Sequence, residues 1–195
     1  MKGAQQAQSR NIIVIGGSQG SIAVIETILQ DLPADLSAAV LIVIHTGPSS
    51  PMLMATILGR CTSMPVTYAR EGERVREGRI YLAPPNRHME IMAPGLLHLS
   101  DGPKVLFAKP AVNRLFETAA AVYCSRVIGI VLSGGDSDGA DGLRAITEAG
   151  GLTFIQDPED AKVPSMPWQA LQRDHPMARL KSGVIGKVLG RAVSR

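Results

Sequence analysis

The sequence predicts a doubly wound α/β domain with a mostly parallel sheet, on three observations. Its strand-like segments are apolar on both faces, they alternate with segments of helical spacing, and two of them end in glycine-rich turns. A length of 195 residues suits one domain, which on folding buries about 70% of the surface its unfolded form exposes.

Residues 11–16 read as a continuous Ile/Val strand, and residues 21–32 follow with Ile22, Ile25, Leu29 and Leu32 at helical spacing, stopping before Pro33. Residues 38–44 are a second wholly apolar run that ends at His45, and residues 52–61 read as the helix after it. Residues 79–83 read as a short strand; residues 88–100 alternate around Pro94-Gly95, the pattern of a β-hairpin. Helical spacing returns in residues 113–125, with Leu115, Phe116, Ala119 and Val122 on one side. Residues 127–133 form another buried strand, which runs into Gly134-Gly135-Asp136-Ser137-Asp138-Gly139. Residues 140–149 resume as a helix before Gly150-Gly151 and a final strand, residues 152–156. Right-handed crossovers between such strands give a three-layer, Rossmann-like sheet from which the hairpin is an excursion. Residues 1–10 are expected to be a polar N-terminal tail and residues 11–195 a single domain.

Composition narrows the function. The net charge is +3, but no acidic residue follows Asp174, whereas Arg179, Lys181, Lys187, Arg191 and Arg195 do. Such a run is a solvated face or a dock for an acidic partner. Aromatic residues make up 4% of the chain, too few for a base-stacking platform, so no nucleic acid is expected. Cys61 and Cys124 lie far apart and share no metal-finger spacing with the four histidines; neither a disulfide nor a metal site is expected, and the compartment reads as reducing. The N-terminus, MKGAQQAQSR, has no apolar core of a signal peptide, and the longest apolar stretch is too short to cross a bilayer. A soluble cytoplasmic protein with no membrane insertion is the expectation.

In a doubly wound sheet, ligands bind beyond the carboxyl ends of the strands, where strand order reverses. Three predicted strand ends carry reactive side chains: Ser18, His45 and Asp138. Each has a local alternative. Ser18 or Ser21 could cap the helix that follows, His45 could be a buried histidine bonded to backbone, and Asp138 could cap the helix opening at Gly139. Converging on one crevice, however, the three make a nucleophile, its base and the carboxylate that orients the base. Gly16-Gly17-Ser18-Gln19-Gly20 also satisfies G-x-S-x-G, the sharp strand-to-helix turn that exposes a serine oxygen. The dinucleotide pattern G-x-G-x-x-G fails because Ser18 stands where its second glycine belongs, and no G-K-[ST] follows to make a P-loop, although the helix N-terminus remains open to a phosphate. A calcium loop over Asp136, Asp138 and Asp141 fails on spacing, with Thr147 in place of the bidentate glutamate. Among other residues, His88 reads as a structural histidine of the crevice wall or a substrate contact, and Met52, Met54 and Met64 as gap-filling core. Trp168, in a long loop after Gln156, reads as core plug or crevice rim, and His98 and His175 as surface residues.

Five stretches together resemble the catalytic domain of chemotaxis protein-glutamate methylesterases of the CheB type. "VIGGSQGSIAVIETIL" is similar to that family's G-[AS]-S-T-G-G-x-x-A-[IL] around the nucleophile, and "VLIVIHTGPS" to its V-x-Q-H-M. "GRIYLAPPNRHMEI", "KPAVNRLFETAA" and "GIVLSGGDSDGADGLRAITEAGG" continue the match, the last resembling L-T-G-M-G-x-D-G-A-x-G. The resemblance covers roughly residues 11 to 175. It implies hydrolysis of glutamyl methyl esters on the cytoplasmic helices of chemoreceptors, with deamidation of receptor glutamines in many members. Ser18 is then the nucleophile, His45 the general base and Asp138 its orienting acid. Backbone N–H groups near Gln19 and Gly135 hold the oxyanion, and no cofactor is needed. The alternative is a non-catalytic module of the same fold that binds a receptor or regulatory partner. Departures stand at Gln19 and Gly20-Ser21, at Gly134-Gly135-Asp136, and at Lys109 and Asn113, where the family's H-R-P-S-V-D has arginine and aspartate; lysine cannot reproduce a bidentate arginine fork. Asp136 would oppose an oxyanion if it pointed inward, or else cap the helix or face solvent. Members commonly carry an N-terminal receiver domain. None is present in this chain, which is then either a free-standing catalytic unit or a truncated one.

Overall fold

A computed structural model describes residues 9–193; residues 1–8 of the expected tail, and Arg195 of the basic run, lie outside the described residues. The elements in chain order are β1 (Ile12–Gly17), α1 (Ser21–Asp31), β2 (Ala39–Ile44), α2 (Met54–Leu58), β3 (Val66–Tyr68), β4 (Ile80–Leu82), β5 (His88–Met92), β6 (Leu96–Ser100), α3 (Val112–Tyr123), β7 (Val127–Val131), α4 (Ala140–Glu148), β8 (Leu152–Gln156), α5 (Ser165–Arg173), β9 (Ala178–Leu180) and α6 (Ser182–Val193). Among the described residues, seven strands form a parallel sheet in the order β3-β4-β2-β1-β7-β8-β9, and β5 and β6 pair separately as an antiparallel hairpin.

The uninterrupted Ile/Val runs become central strands because both faces of the sheet are covered, and successive side chains alternate between them. Ile12, Val14, Leu41 and Val43 pack on Leu115, Phe116, Leu143 and Ile146 of α3 and α4. Ile13, Ile15, Val40 and Ile42 pack on Ile25 and Ile28 of α1 and on Ile185 and Leu189 of α6. Each such aliphatic side chain contributes roughly 1.5–3 kcal/mol by leaving water. Strand order reverses about β1, from which the chain turns to β2 on one side and later to β7 on the other. At the end of β1, an added Cβ on Gly16 would fall 2.2 Å from Val112 Cγ1. Only a glycine lets the first turn of α3 sit this close to the strand end.

Five differences separate the structure from the sequence expectation. Strands β3 and β9, three residues each, are too short to show a period. The strand at residues 152–156 is not the last element, since α5, β9 and α6 follow it. Helix α6 buries Ile185, Leu189 and Val193 at four-residue spacing, but Gly183, Gly186 and Gly190 lower its intrinsic propensity. Its neighbourhood's basic residues Arg179, Lys181, Lys187 and Arg191 are exposed, a solvated face. Trp168 lies in helix α5 rather than in a loop, and α2 spans only Met54–Leu58, which leaves Met52 at 56% exposure instead of in the core that holds Met64.

Candidate active site

Parallel register aligns three strand ends. Gly17 pairs with Ile44 and Gly16 with Val131, so the next residues of β1, β2 and β7 emerge side by side. The pairing continues past the strands: the His45 N–H donates to the Gly17 carbonyl at 3.0 Å and the Ser18 N–H to the Ser133 carbonyl at 2.9 Å.

His45 Nε2 lies 2.8 Å from Asp138 Oδ2. Asp138 is fully buried, and its carboxylate also accepts the backbone N–H groups of Val112 at 2.6 Å and Asn113 at 2.9 Å. It therefore caps the N-terminus of α3, not the helix that opens at Gly139, and the positive end of that helix adds to the N–H donors. Asn113 is likewise an internal tie. Its Oδ1 accepts N–H groups of Gly139 at 2.9 Å and Gly142 at 2.8 Å, which locks the loop carrying Asp138 and leaves the side chain buried, away from any substrate.

Asp136 turns one carboxylate oxygen toward the imidazole and stays partly exposed to solvent. Its Oδ2 lies 3.2 Å from His45 Nδ1 while its Oδ1 accepts the Asp138 N–H at 2.9 Å. The imidazole thus has a carboxylate on each nitrogen. Burial pushes His45 down, but the hydrogen bonds to Asp136 and Asp138 and their charges outweigh it, and the group is pushed up to about 9. For Asp136, burial pushes upward, yet the His45 hydrogen bond and the Asp138 N–H hold it below the usual carboxylate range. Both ring nitrogens therefore carry protons at neutral pH, since a carboxylate only accepts. The signal in the sequence is the Asp-x-Asp spacing, which in this bent loop lets Asp136 accept the Asp138 N–H while both carboxylates reach the ring.

Ser18 is partly exposed, and its hydroxyl makes no hydrogen bond among the described residues. Ser21, not Ser18, closes the turn into α1, through its N–H at 3.1 Å and its hydroxyl at 2.7 Å to the Ser18 carbonyl. A Cβ added at Gly134 would come within 2.9 Å of Ser18 Cβ and 2.0 Å of Met166 Sδ, so the β7 loop passes directly beside the serine. The N–H groups of Gln19 and Gly135 are uncommitted among the described residues, whereas that of Gly134 is bonded to the Val163 carbonyl at 2.9 Å.

Ser18, His45 and Asp136 open onto one cavity of about 370 Å³ that Lys104, Phe107 and Lys109 also line. Lys109 Nζ lies 3.4 Å from the Asp101 carbonyl and 3.3 Å from that of Gly102. His88 is buried and structural: Nε2 meets the Pro103 carbonyl at 3.0 Å and Nδ1 accepts the Ala111 N–H at 3.2 Å. Between those anchors, Val105 and Ala108 exchange both backbone hydrogen bonds, at 3.1 and 2.8 Å. The two residues of the turn, Leu106 and Phe107, have φ of 45° and 68°. Positive φ at both positions is the demand of a type I′ turn, usually met by Asn-Gly, and side chains such as these cost roughly 1–2 kcal/mol each there. Sequence reading did not single them out, because no turn signal marks Leu-Phe. His98, paired with Glu71 at 3.0 Å, and His175 both lie at the surface, away from the cavity. Among the described residues no three His, Cys, Asp or Glu side chains are grouped to ligate a metal ion.

Comparison with known proteins gives a consistent set of relatives. Residues 13–189 match the family described as CheB methylesterase. A Leptospira interrogans protein, provisionally named a protein-glutamate methylesterase/protein-glutamine glutaminase, is 40% identical over 160 residues, 82% of this chain and 83% of its own. A Methanosarcina acetivorans protein-glutamate methylesterase/protein-glutamine glutaminase is 39% identical over 177 residues; the match spans 87% of this chain but 50% of that longer protein. The crystal structure of the Thermotoga maritima CheB methylesterase catalytic domain superposes with a TM-score of 0.89 at 27% identity, covering 96% of this chain and 99% of that one.

Proposed function

The chain belongs to the CheB methylesterase family, and on that premise we propose that it hydrolyses glutamyl γ-methyl esters on the cytoplasmic helices of a chemoreceptor, with residues 11–195 acting as one catalytic unit in the cytoplasm. No helix among the described residues is long and apolar enough to cross a membrane. The observation that carries the reading is the His45–Asp138 hydrogen bond beside a serine that opens onto the same cavity.

Once the imidazolium has lost its Nδ1 proton to solvent, Ser18 Oγ attacks the ester carbonyl and gives its own proton to His45 at Nδ1, the nitrogen not held by Asp138. That nitrogen faces Asp136 in the resting arrangement, so productive binding turns Asp136 away and brings Ser18 to the ring. Asp138 keeps the imidazole oriented and balances the imidazolium. The free N–H groups of Gln19 and Gly135 receive the oxyanion, each worth roughly 3–4 kcal/mol to the transition state when aligned. The tetrahedral intermediate collapses as His45 returns the proton to the departing methanol. Water, deprotonated by the same ring, then hydrolyses the acyl-enzyme to free glutamate and Ser18. Amides of glutamine enter the same sequence with ammonia leaving, which is the deamidation that the relatives' names include.

The test is methanol release from methylated chemoreceptor membranes. Wild-type protein releases it, and Ser18→Ala lowers kcat by about four orders of magnitude or more. Equal rates for the two proteins reject the enzyme reading.

A further inference from the structure

The Leu106–Phe107 turn lines the same cavity as Ser18 and His45. Both residues adopt a left-handed backbone that asparagine and glycine accept far more readily. Burial does not offset that strain, because Phe107 is 93% exposed and Leu106 40%. Nor is the turn loosely held: His88 ties Pro103 and Ala111 at the base of the segment, and Lys109 binds back to Asp101 and Gly102. A rigid, strained turn therefore presents two apolar side chains to solvent beside the proposed nucleophile. Exposed aromatic groups on a preorganised support are the kind of side chain that anchors a protein partner.

Leu106 and Phe107 line two hollows, and Asp136 also lines both. One holds Ser18 and His45. The other, about 310 Å³, is lined by Asp136, Ser137, Ser165 and Gln169. Residues three or four positions apart on a helix share a face. A helical substrate with its ester in the first hollow lays its neighbouring side chain on that face against the turn.

We propose that the Leu106–Phe107 turn is a substrate-docking element that receives an apolar side chain three or four residues from the scissile glutamyl ester, and so sets sequence preference on a helical protein substrate. The proposal rests on the esterase reading of Ser18 and His45.

The experiment uses two synthetic helical peptides, each with one glutamyl γ-methyl ester, that differ only in carrying leucine or glutamine at the flanking positions; both residues are good helix formers. Methanol release is measured for wild-type protein and for the double variant Leu106→Asn, Phe107→Gly. Wild-type protein favours the leucine peptide by at least about tenfold in kcat/KM, chiefly through KM. In the variant the ratio falls to near one. The variant melts at the same or a higher temperature, because Asn-Gly relaxes the turn, which separates lost docking from lost folding. Equal kcat/KM for the two peptides with wild-type protein, or an undiminished preference in the variant, overturns the proposal and leaves the esterase reading standing. No methanol from either peptide or from methylated receptor membranes overturns the esterase reading, and this proposal with it.

Discussion

Asp136 holds His45 at Nδ1, 3.2 Å away, on the ring nitrogen opposite the one bonded to Asp138. The general base is thus clamped as an imidazolium by two carboxylates, and it must lose a proton before it can accept one from Ser18.

The pH dependence follows from that clamp. His45 is pushed up to about 9 from its ordinary 6.5, so kcat/KM, which reports the free enzyme, rises through the neutral range and levels only near the upper value. Asp136→Asn removes one carboxylate from the ring, moves the midpoint to lower pH and raises the rate at neutral pH. A wild-type profile already flat at neutral pH contradicts this.

Stability carries the same sign. A histidine whose folded pKa exceeds its unfolded one stabilises the fold fully below 6.5, and that contribution disappears as pH rises through about 9. The melting-temperature gap between wild-type protein and His45→Gln is therefore larger at about pH 6 than at about pH 10. A gap independent of pH means the clamp does not stabilise the fold.

Asp138 is expected to matter for folding as well as for rate. In Asp138→Ala the buried N–H groups of Val112 and Asn113 lose their acceptor, at a cost of roughly 2–5 kcal/mol. Asp138→Asn keeps one acceptor oxygen and loses less. Denaturant titration of the two variants checks the order, and an alanine variant as stable as the wild type removes Asp138 from the cap of α3.

Gly16→Ala drives a methyl group into Val112, whose Cγ1 would be 2.2 Å away. Overpacking there costs roughly 1–3 kcal/mol. Because Val112 also donates to Asp138, the displacement reaches His45, and activity falls together with the melting temperature. A melting temperature equal to that of wild type shows that α3 can yield without strain.

How far the sequence carried varies by feature. The doubly wound sheet was legible in residues 11–16, 38–44 and 127–133, because a strand buried on both faces must be apolar at every position. The family was legible too, since five ordered motifs at consistent spacing led to the one that the comparisons show. Strand β9 and helix α6 were not. Three residues carry no period, and the glycines of α6 weaken its propensity while its burial against α1 makes it a helix.

For the candidate site, local sequence determined which side chains stand at the ends of β1, β2 and β7. Their partners depended on contacts between residues distant in the chain: Asp138 meets α3 from 25 and 26 positions away, and His45 meets Asp138 from 93. Chain order sets which residues are available, but hydrogen bonds form between groups that packing brings together. Only the docking of α3 against Gly16 and the turn of the Asp-x-Asp loop decided that Asp138 would cap that helix and that Asp136 would face the ring.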